Sequence, residues 1–146
     1  PGADLVGYAH QKQISVHPLI GPSSILLALM GSGFNGQSFA FHGYLPIDKL
    51  ERKSALKLAE KPAQTEGQTQ VWIETPYRNL SLFQDLCQHL HENTLLCIAC
   101  DLSLPTQWIQ TKSIGLWKKA EVSFIQKRPA IFLVSGGQPK RKDFSF

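Results

Sequence analysis

The sequence is poor in charge: Asp, Glu, Lys and Arg make up 18% of its 146 residues, against 42% hydrophobic ones. That balance belongs to a folded chain and excludes a disordered, charge-dominated one. No apolar run approaches the length of a membrane span, so no transmembrane helix is expected. No secretory signal pattern stands in the sequence. Cysteine is scarce, with three residues at spacings that form no disulfide framework. An odd, unframed set points to a reducing compartment, with the cytoplasm as the default. Also lacking are an internal repeat, a Walker phosphate loop and a Ser-His-Asp order. What is present is a net charge of +4. It suits a polyanion such as RNA, and equally suits many soluble enzymes. The length allows one ordinary core, or one small domain with a piece of another.

Strand and helix signals alternate along the chain, which predicts an α/β protein. Residues 1–13 read as a helix under way from the first residue, with Leu5, Val6 and Ala9 on one side. The chain opens on Pro1 without an initiator methionine, so it is expected to be the later part of a longer protein. Ile14 to Leu19 alternate as a short strand, and Gly21-Pro22-Ser23-Ser24 turns into an apolar helix over Ile25 to Met30. Gly31, Gly33 and Gly36 then mark a boundary near residues 35–38. The second unit opens with a strand over 39–44 and a charged helix over 48–61, with Leu50, Ala55, Leu58 and Ala59 facing inward. A polar loop follows over 62–68. A strand over 70–74 leads through Thr75-Pro76, a helix start with proline at its first position. That helix buries Leu82, Phe83, Leu86, Cys87 and Leu90. Strands over 94–99, 108–111 and 129–134 complete the unit, with a helix or turn around Leu116 and Trp117. Lys140-Arg141-Lys142 reads as a solvated tail.

Two places join the carboxyl end of a strand to a helix amino terminus, where α/β sheets tend to bind ligands. One is Leu19 to Ser24, where Gly21 permits close backbone approach and the serine hydroxyls can donate or accept. For this pattern alone an ordinary turn and cap is the favoured reading. The other, Glu74-Thr75-Pro76-Tyr77-Arg78, places a carboxylate and a guanidinium within one turn. Arg78 can grip an anion through two parallel hydrogen bonds and Glu74 can orient a hydroxyl or act as a base. Alternatively, the two pair with each other and only pin the loop. Cys97 and Cys100 lie three apart in a strand and therefore on opposite faces, and His89 and His91 lie on different faces of a helix. No metal site is expected from either pair.

Taken in order, these segments resemble the tetrapyrrole-methylase class of S-adenosylmethionine-dependent methyltransferases. Pro1-Gly2-Ala3 is similar to the end of that class's aspartate-proline-glycine stretch, and Ile20-Gly21-Pro22-Ser23-Ser24 to its proline-glycine-proline-serine turn. Phe41-His42-Gly43-Tyr44-Leu45-Pro46 and Glu74-Thr75-Pro76-Tyr77-Arg78 resemble the FEGFLP and ESPHR forms of the branch that methylates a ribose 2′-hydroxyl in small-subunit ribosomal RNA. The resemblance runs from residue 1 to about Gly136. It implies a two-domain tetrapyrrole-methylase-like α/β fold. Residues 1–37 would be the end of the first domain and 38–146 a complete second one, with S-adenosylmethionine folded in the cleft of a homodimer. Ser23 and Ser24 would lie beside the cofactor. Ile73, Glu74 and Thr75 would approach it from the second domain, and Leu102, Val134 and Ser135 would line its adenosine side. Glu74 and Arg78 are the candidate catalytic residues, ribosomal RNA is the expected substrate, and neither metal nor membrane is called for. A chain holding half of a cleft would be inactive alone. This sequence departs from the family where its arginine-glutamate-leucine-threonine stretch reads Cys100-Asp101-Leu102-Ser103, and where Tyr77 replaces histidine. Two other readings stay open: a methyltransferase of the same fold acting on a tetrapyrrole or other small molecule, and a non-catalytic α/β module that binds nucleic acid.

Overall fold

The structure, a computed structural model, describes residues 2–137; Pro1 and the Lys140-Arg141-Lys142 tail lie outside the described residues. Its centre is a sheet of five strands: β1 (Phe39–Phe41), β2 (Thr69–Glu74), β3 (Leu95–Cys100), β4 (Trp108–Ser113) and β5 (Ala130–Ser135). The spatial order is β1-β2-β5-β3-β4. Strands β1 and β2 run parallel, whereas β5 is antiparallel to both β2 and β3. The carboxyl ends of β1, β2 and β3 therefore share one edge of the sheet with the amino end of β5.

The inner strands are buried at nearly every position because both faces are covered. Trp72, Ile98, Phe132 and Val134 point into the larger cluster, under helices α3 (Lys49–Glu66) and α4 (Asn79–His89). Val71, Cys97, Ala99, Ile131 and Leu133 point the other way, where helix α2 (Ser24–Ser32) covers them with Ala28 and Leu29. The Thr111 hydroxyl donates to the Ser32 carbonyl at 2.8 Å and ties α2 to the edge strand. A helix expected in the first unit thus packs on the sheet of the second. The pattern read for α4 holds, with Leu82, Phe83, Leu86, Cys87 and Leu90 all buried. The short helix α5 (Ile114–Trp117) buries Trp117, whose indole N–H donates to the Leu96 carbonyl at 2.8 Å.

Several expectations are corrected. Residues Ile14 to Leu19 form no strand. A strand exists only with a ladder partner, and none of the described strands pairs with this segment. Helix α1 (Gly2–Gln11) forms but buries no residue; Leu5 and Val6 are exposed. The strand expected over 39–44 stops at Phe41, because Gly43 turns the chain with φ 69°. Helix α3 keeps two of its four expected inward residues, Ala59 buried and Ala55 packed against the core, but its phase differs at the other two. Leu50 and Leu58 are 74% and 75% exposed, while Arg52, Leu56, Ala59 and Ala63 face inward. Arg52 sets that phase: it donates to Asp85 on α4 at 2.6 Å and to the Pro46 carbonyl at 2.8 Å. The helix also runs through Pro62, where a loop was expected, and ends at Gly67 in the left-handed region with φ 66°. Buried Ala63 holds this last turn against the sheet.

Candidate functional site

At the shared edge of the sheet lies a cavity of about 420 Å³, lined by Ser24, Tyr44, Ile73, Glu74, Asp101 and Leu102, with Pro129, Ala130 and Ile131 among its other walls. Ligand cavities commonly combine mostly apolar walls with a few convergent polar groups. Glu74, the last residue of β2, supplies the most constrained of these. Its side chain is 1% exposed. Oε1 accepts from the Thr75 amide at 2.6 Å, from Arg78 Nη2 at 2.7 Å and from Arg78 Nε at 3.0 Å. Oε2 is buried with no hydrogen-bond partner among the described residues. Glu74 and Arg78 therefore do pair with each other, as one of the two sequence readings held. The pairing leaves one carboxylate oxygen uncommitted, and buried polar atoms without partners call for an explanation.

Three chain segments are cross-tied around the cavity. The turn Pro76–Arg78 receives the Lys127 amide at the Pro76 carbonyl, 2.9 Å away. Asn79 Nδ2 donates to the carbonyls of Ile125 and Arg128 at 2.8 and 2.7 Å. After β3 the chain turns sharply, with Asp101 at φ 50° and Ser103 at φ 70°, while Lys127 stands at φ 63°. Such conformations cost about 1–3 kcal/mol each for non-glycine residues and persist only where surrounding contacts enforce them. Here Asp101 Oδ2 accepts from the Thr106 hydroxyl and from Arg128 Nε, both at 2.8 Å. The hydroxyl first, and the guanidinium with it, hold the Asp101 carboxyl below the usual carboxylate range. Arg128 brings a guanidinium to that carboxylate from 27 residues away in the sequence.

Of the residues named from sequence, Ser24, Ile73, Glu74 and Leu102 are brought together in the cavity. Thr75 stands beside it, with its hydroxyl accepting from Arg78 Nε at 3.2 Å. Ser23 caps α2 by position but makes no side-chain cap bond. Val134 is buried in the core, and Ser135 lines a separate hollow with Phe34, Gln64 and Gly136. Both sit near the far end of β5, about 13–16 Å along the strand from Ala130 at a rise of roughly 3.3 Å per residue. Tyr44, Asp101 and the Pro129–Ile131 corner were not named as site residues. The motif around Gly43 and the departure at Asp101 were the available signals for the first two. Nothing in sequence marks the corner, because β5's direction is a property of the sheet. Cys97 and Cys100 fall on opposite faces as expected. Burial pushes both thiols up to about 11.

The fold is shared with solved structures of methyltransferases. The chain matches methyltransferase CobJ with a TM-score of 0.52 and 15% identity, over 90% of this chain and 55% of that one. It matches the cobalamin biosynthetic enzyme cobalt precorrin-4 methyltransferase with a TM-score of 0.55 and 11% identity, over 91% and 57%. No protein-family model matches. The fold is accordingly the tetrapyrrole-methylase α/β fold.

By sequence, the chain is a relative of the proteins named ribosomal RNA small subunit methyltransferase I. It is 29% identical to the one from Buchnera aphidicola over 99% of this chain and 51% of that protein. It is 32% identical to the one from Leptospira borgpetersenii over 100% of this chain and 57% of that protein. The chain thus spans about half the length of the curated relatives it matches.

Proposed function

We propose that this chain supplies part of the site of an S-adenosylmethionine-dependent methyltransferase that methylates a ribose 2′-hydroxyl of small-subunit ribosomal RNA. The observation that carries the reading is the edge cavity with the unpartnered Glu74 Oε2, in a chain whose sequence relatives are named ribosomal RNA small subunit methyltransferase I. The residues fit the cofactor's chemistry: Ile73, Leu102 and Ile131 offer apolar wall to an adenosine or thioether, and Ser24 and Glu74 offer hydrogen-bonding atoms. S-adenosylmethionine, when bound, supplies a methyl group already made electrophilic by its sulfonium.

The protein's share is alignment and exclusion of water, together worth up to about 7–11 kcal/mol in well-oriented systems. The apolar walls exclude water. Glu74 Oε2 accepts the proton or hydrogen bond of the acceptor hydroxyl, while Arg78 fixes the carboxylate and turns its remaining N–H groups toward a substrate anion. Ser23 and Thr75 act through their backbone beside the cavity, and Val134 and Ser135, at the far end of β5, take no part in it. The boundary near residues 35–38 belongs to the same reading, with α2 as the element that docks across it. So do a cytoplasmic homodimer and a reaction without a metal ion. Among the described residues, no helix is long and apolar enough to cross a membrane.

The test uses a protein that carries this chain at its relatives' full length. Calorimetry with S-adenosylmethionine should show binding, and isolated small ribosomal subunits should acquire a 2′-O-methyl group. Absence of cofactor binding, or methylation confined to other acceptors, rejects the proposal.

A further inference from the structure

A second hollow opens on the other side of Tyr44. This groove of about 610 Å³ lies between α3 and the start of the sheet, with His42, Tyr44, Leu58, Lys61 and Trp72 among its walls. Tyr44 lines both it and the edge cavity.

His42 is exposed, yet its ring is held from two sides. It stacks on Trp72 with centroids 5.2 Å apart and planes 20° from parallel. Trp72 is itself 1% exposed and fixed in the core. The His42 Nε2 lies 2.7 Å from Gln70 Oε1. Gln70 is buried and donates from Nε2 to the Gln68 carbonyl and to Gln68 Oε1, at 3.0 and 3.1 Å. Its oxygen must then face the imidazole, so His42 Nε2 carries the hydrogen. An exposed aromatic ring with fixed plane and tautomer has already lost the side-chain freedom that stacking would cost. In this sequence histidine stands where the family form FEGFLP has glutamate, so the platform is a feature of this chain.

Charge complements it. Lys49, Lys53, Lys57 and Lys61 recur every fourth residue along α3 and are all exposed. Successive lysines stand about 6 Å apart along the axis, drifting slowly around it. Of the carboxylates on the same helix, Glu60 is occupied by the His91 amide and the Thr94 hydroxyl. Glu51 remains exposed, and Glu66 lines the groove together with Lys61. A cation beside an aromatic platform, with further lysines along the flanking helix, is an arrangement that binds single-stranded nucleic acid.

We propose that this groove holds a nucleotide flanking the one whose ribose enters the edge cavity, in a single-stranded RNA segment. Its base stacks on His42 and its backbone passes Lys61 and Tyr44. The inference rests on the RNA-methyltransferase reading, and names where that substrate is gripped.

The experiment measures fluorescence anisotropy of a labelled single-stranded RNA oligonucleotide on the same full-length protein, with S-adenosylmethionine binding followed in parallel. His42→Ala should weaken RNA binding by about 5- to 100-fold, His42→Phe should restore most of it, and cofactor affinity should not move. Lys61→Gln, a surface change that leaves the fold alone, should weaken binding and lower the salt slope by about 0.7. Undiminished RNA binding in both His42→Ala and Lys61→Gln overturns the assignment while leaving the methyltransferase reading intact. So does His42→Phe binding as poorly as His42→Ala. A wild-type protein without affinity for RNA overturns both.

Discussion

Replacing Glu74 with glutamine keeps the side chain's shape and removes its charge, and two different effects should follow. Three N–H donors, from Thr75 and twice from Arg78, converge on Oε1. An amide NH2 cannot face them, so the glutamine oxygen must take the Oε1 position. The NH2 is then forced to where Oε2 now lies unpartnered. The one carboxylate oxygen left without a partner is thus replaced by a donor. The Arg78 side chain is 32% exposed and can turn to water, so loss of the ion pair is softened. A stability loss of about 1.5–3 kcal/mol is expected, the range for hydrogen bonds to a charged group. A ligand that donates to Oε2 should lose a charge-assisted bond of about 1.5–3 kcal/mol, or roughly 10- to 150-fold in Kd. Arg78→Met makes the opposite cut. It strands a buried carboxylate and should cost more, about 3–5 kcal/mol. Urea unfolding followed by tryptophan fluorescence measures the first effect, and calorimetry with S-adenosylmethionine and with substrate RNA measures the second. If Glu74→Gln binds both ligands with unchanged affinity, Oε2 faces neither and its proposed role is refuted. If Arg78→Met proves the milder substitution, the account of the ion pair is wrong.

Other consequences can be checked separately. In Gly136→Ala the added Cβ would run into the Ala63 carbonyl and Gln64 Cα, both backbone. A loss of about 1–3 kcal/mol is expected from such overpacking, and an unchanged urea midpoint would show that α3 and the end of β5 give way easily. Asp101 is held below its ordinary range, so its loop contacts add stability that is full above the ordinary carboxylate value of about 3.9. That stability is lost as pH falls through the lower folded value. Thermal unfolding between pH 5 and pH 2 should therefore show a smaller acid loss in Asp101→Asn than in wild type; identical slopes would remove Asp101 from the explanation. All three cysteines are buried with thiols raised to about 11 by desolvation. Ellman's reagent at pH 8 should label them quickly only after unfolding, and prompt labelling of the native protein would contradict their placement.

What the sequence determined alone is what local spacing determines. The apolar residues of α4 recur with the helical period and are buried as that period requires. Glu74 and Arg78 stand four apart across a strand-to-helix turn, close enough for the sequence to offer their pairing as one of two outcomes. Cys97 and Cys100 had to diverge because strand side chains alternate. Ordered motifs over the whole chain were enough to place the fold. Tertiary structure decided whatever depends on a distant partner. Ile14 to Leu19 alternate like a strand but meet no ladder among the described strands. Leu50 and Leu58 are outside because Arg52 turns α3 toward Asp85. Arg128 reaches Asp101, and the amino end of β5 enters the cavity edge, only because β5 runs antiparallel between β2 and β3. A period of 3.6 or 2 is written in neighbouring residues. The direction of an inserted strand is set by pairing energies between segments far apart in the chain, and no local pattern records it.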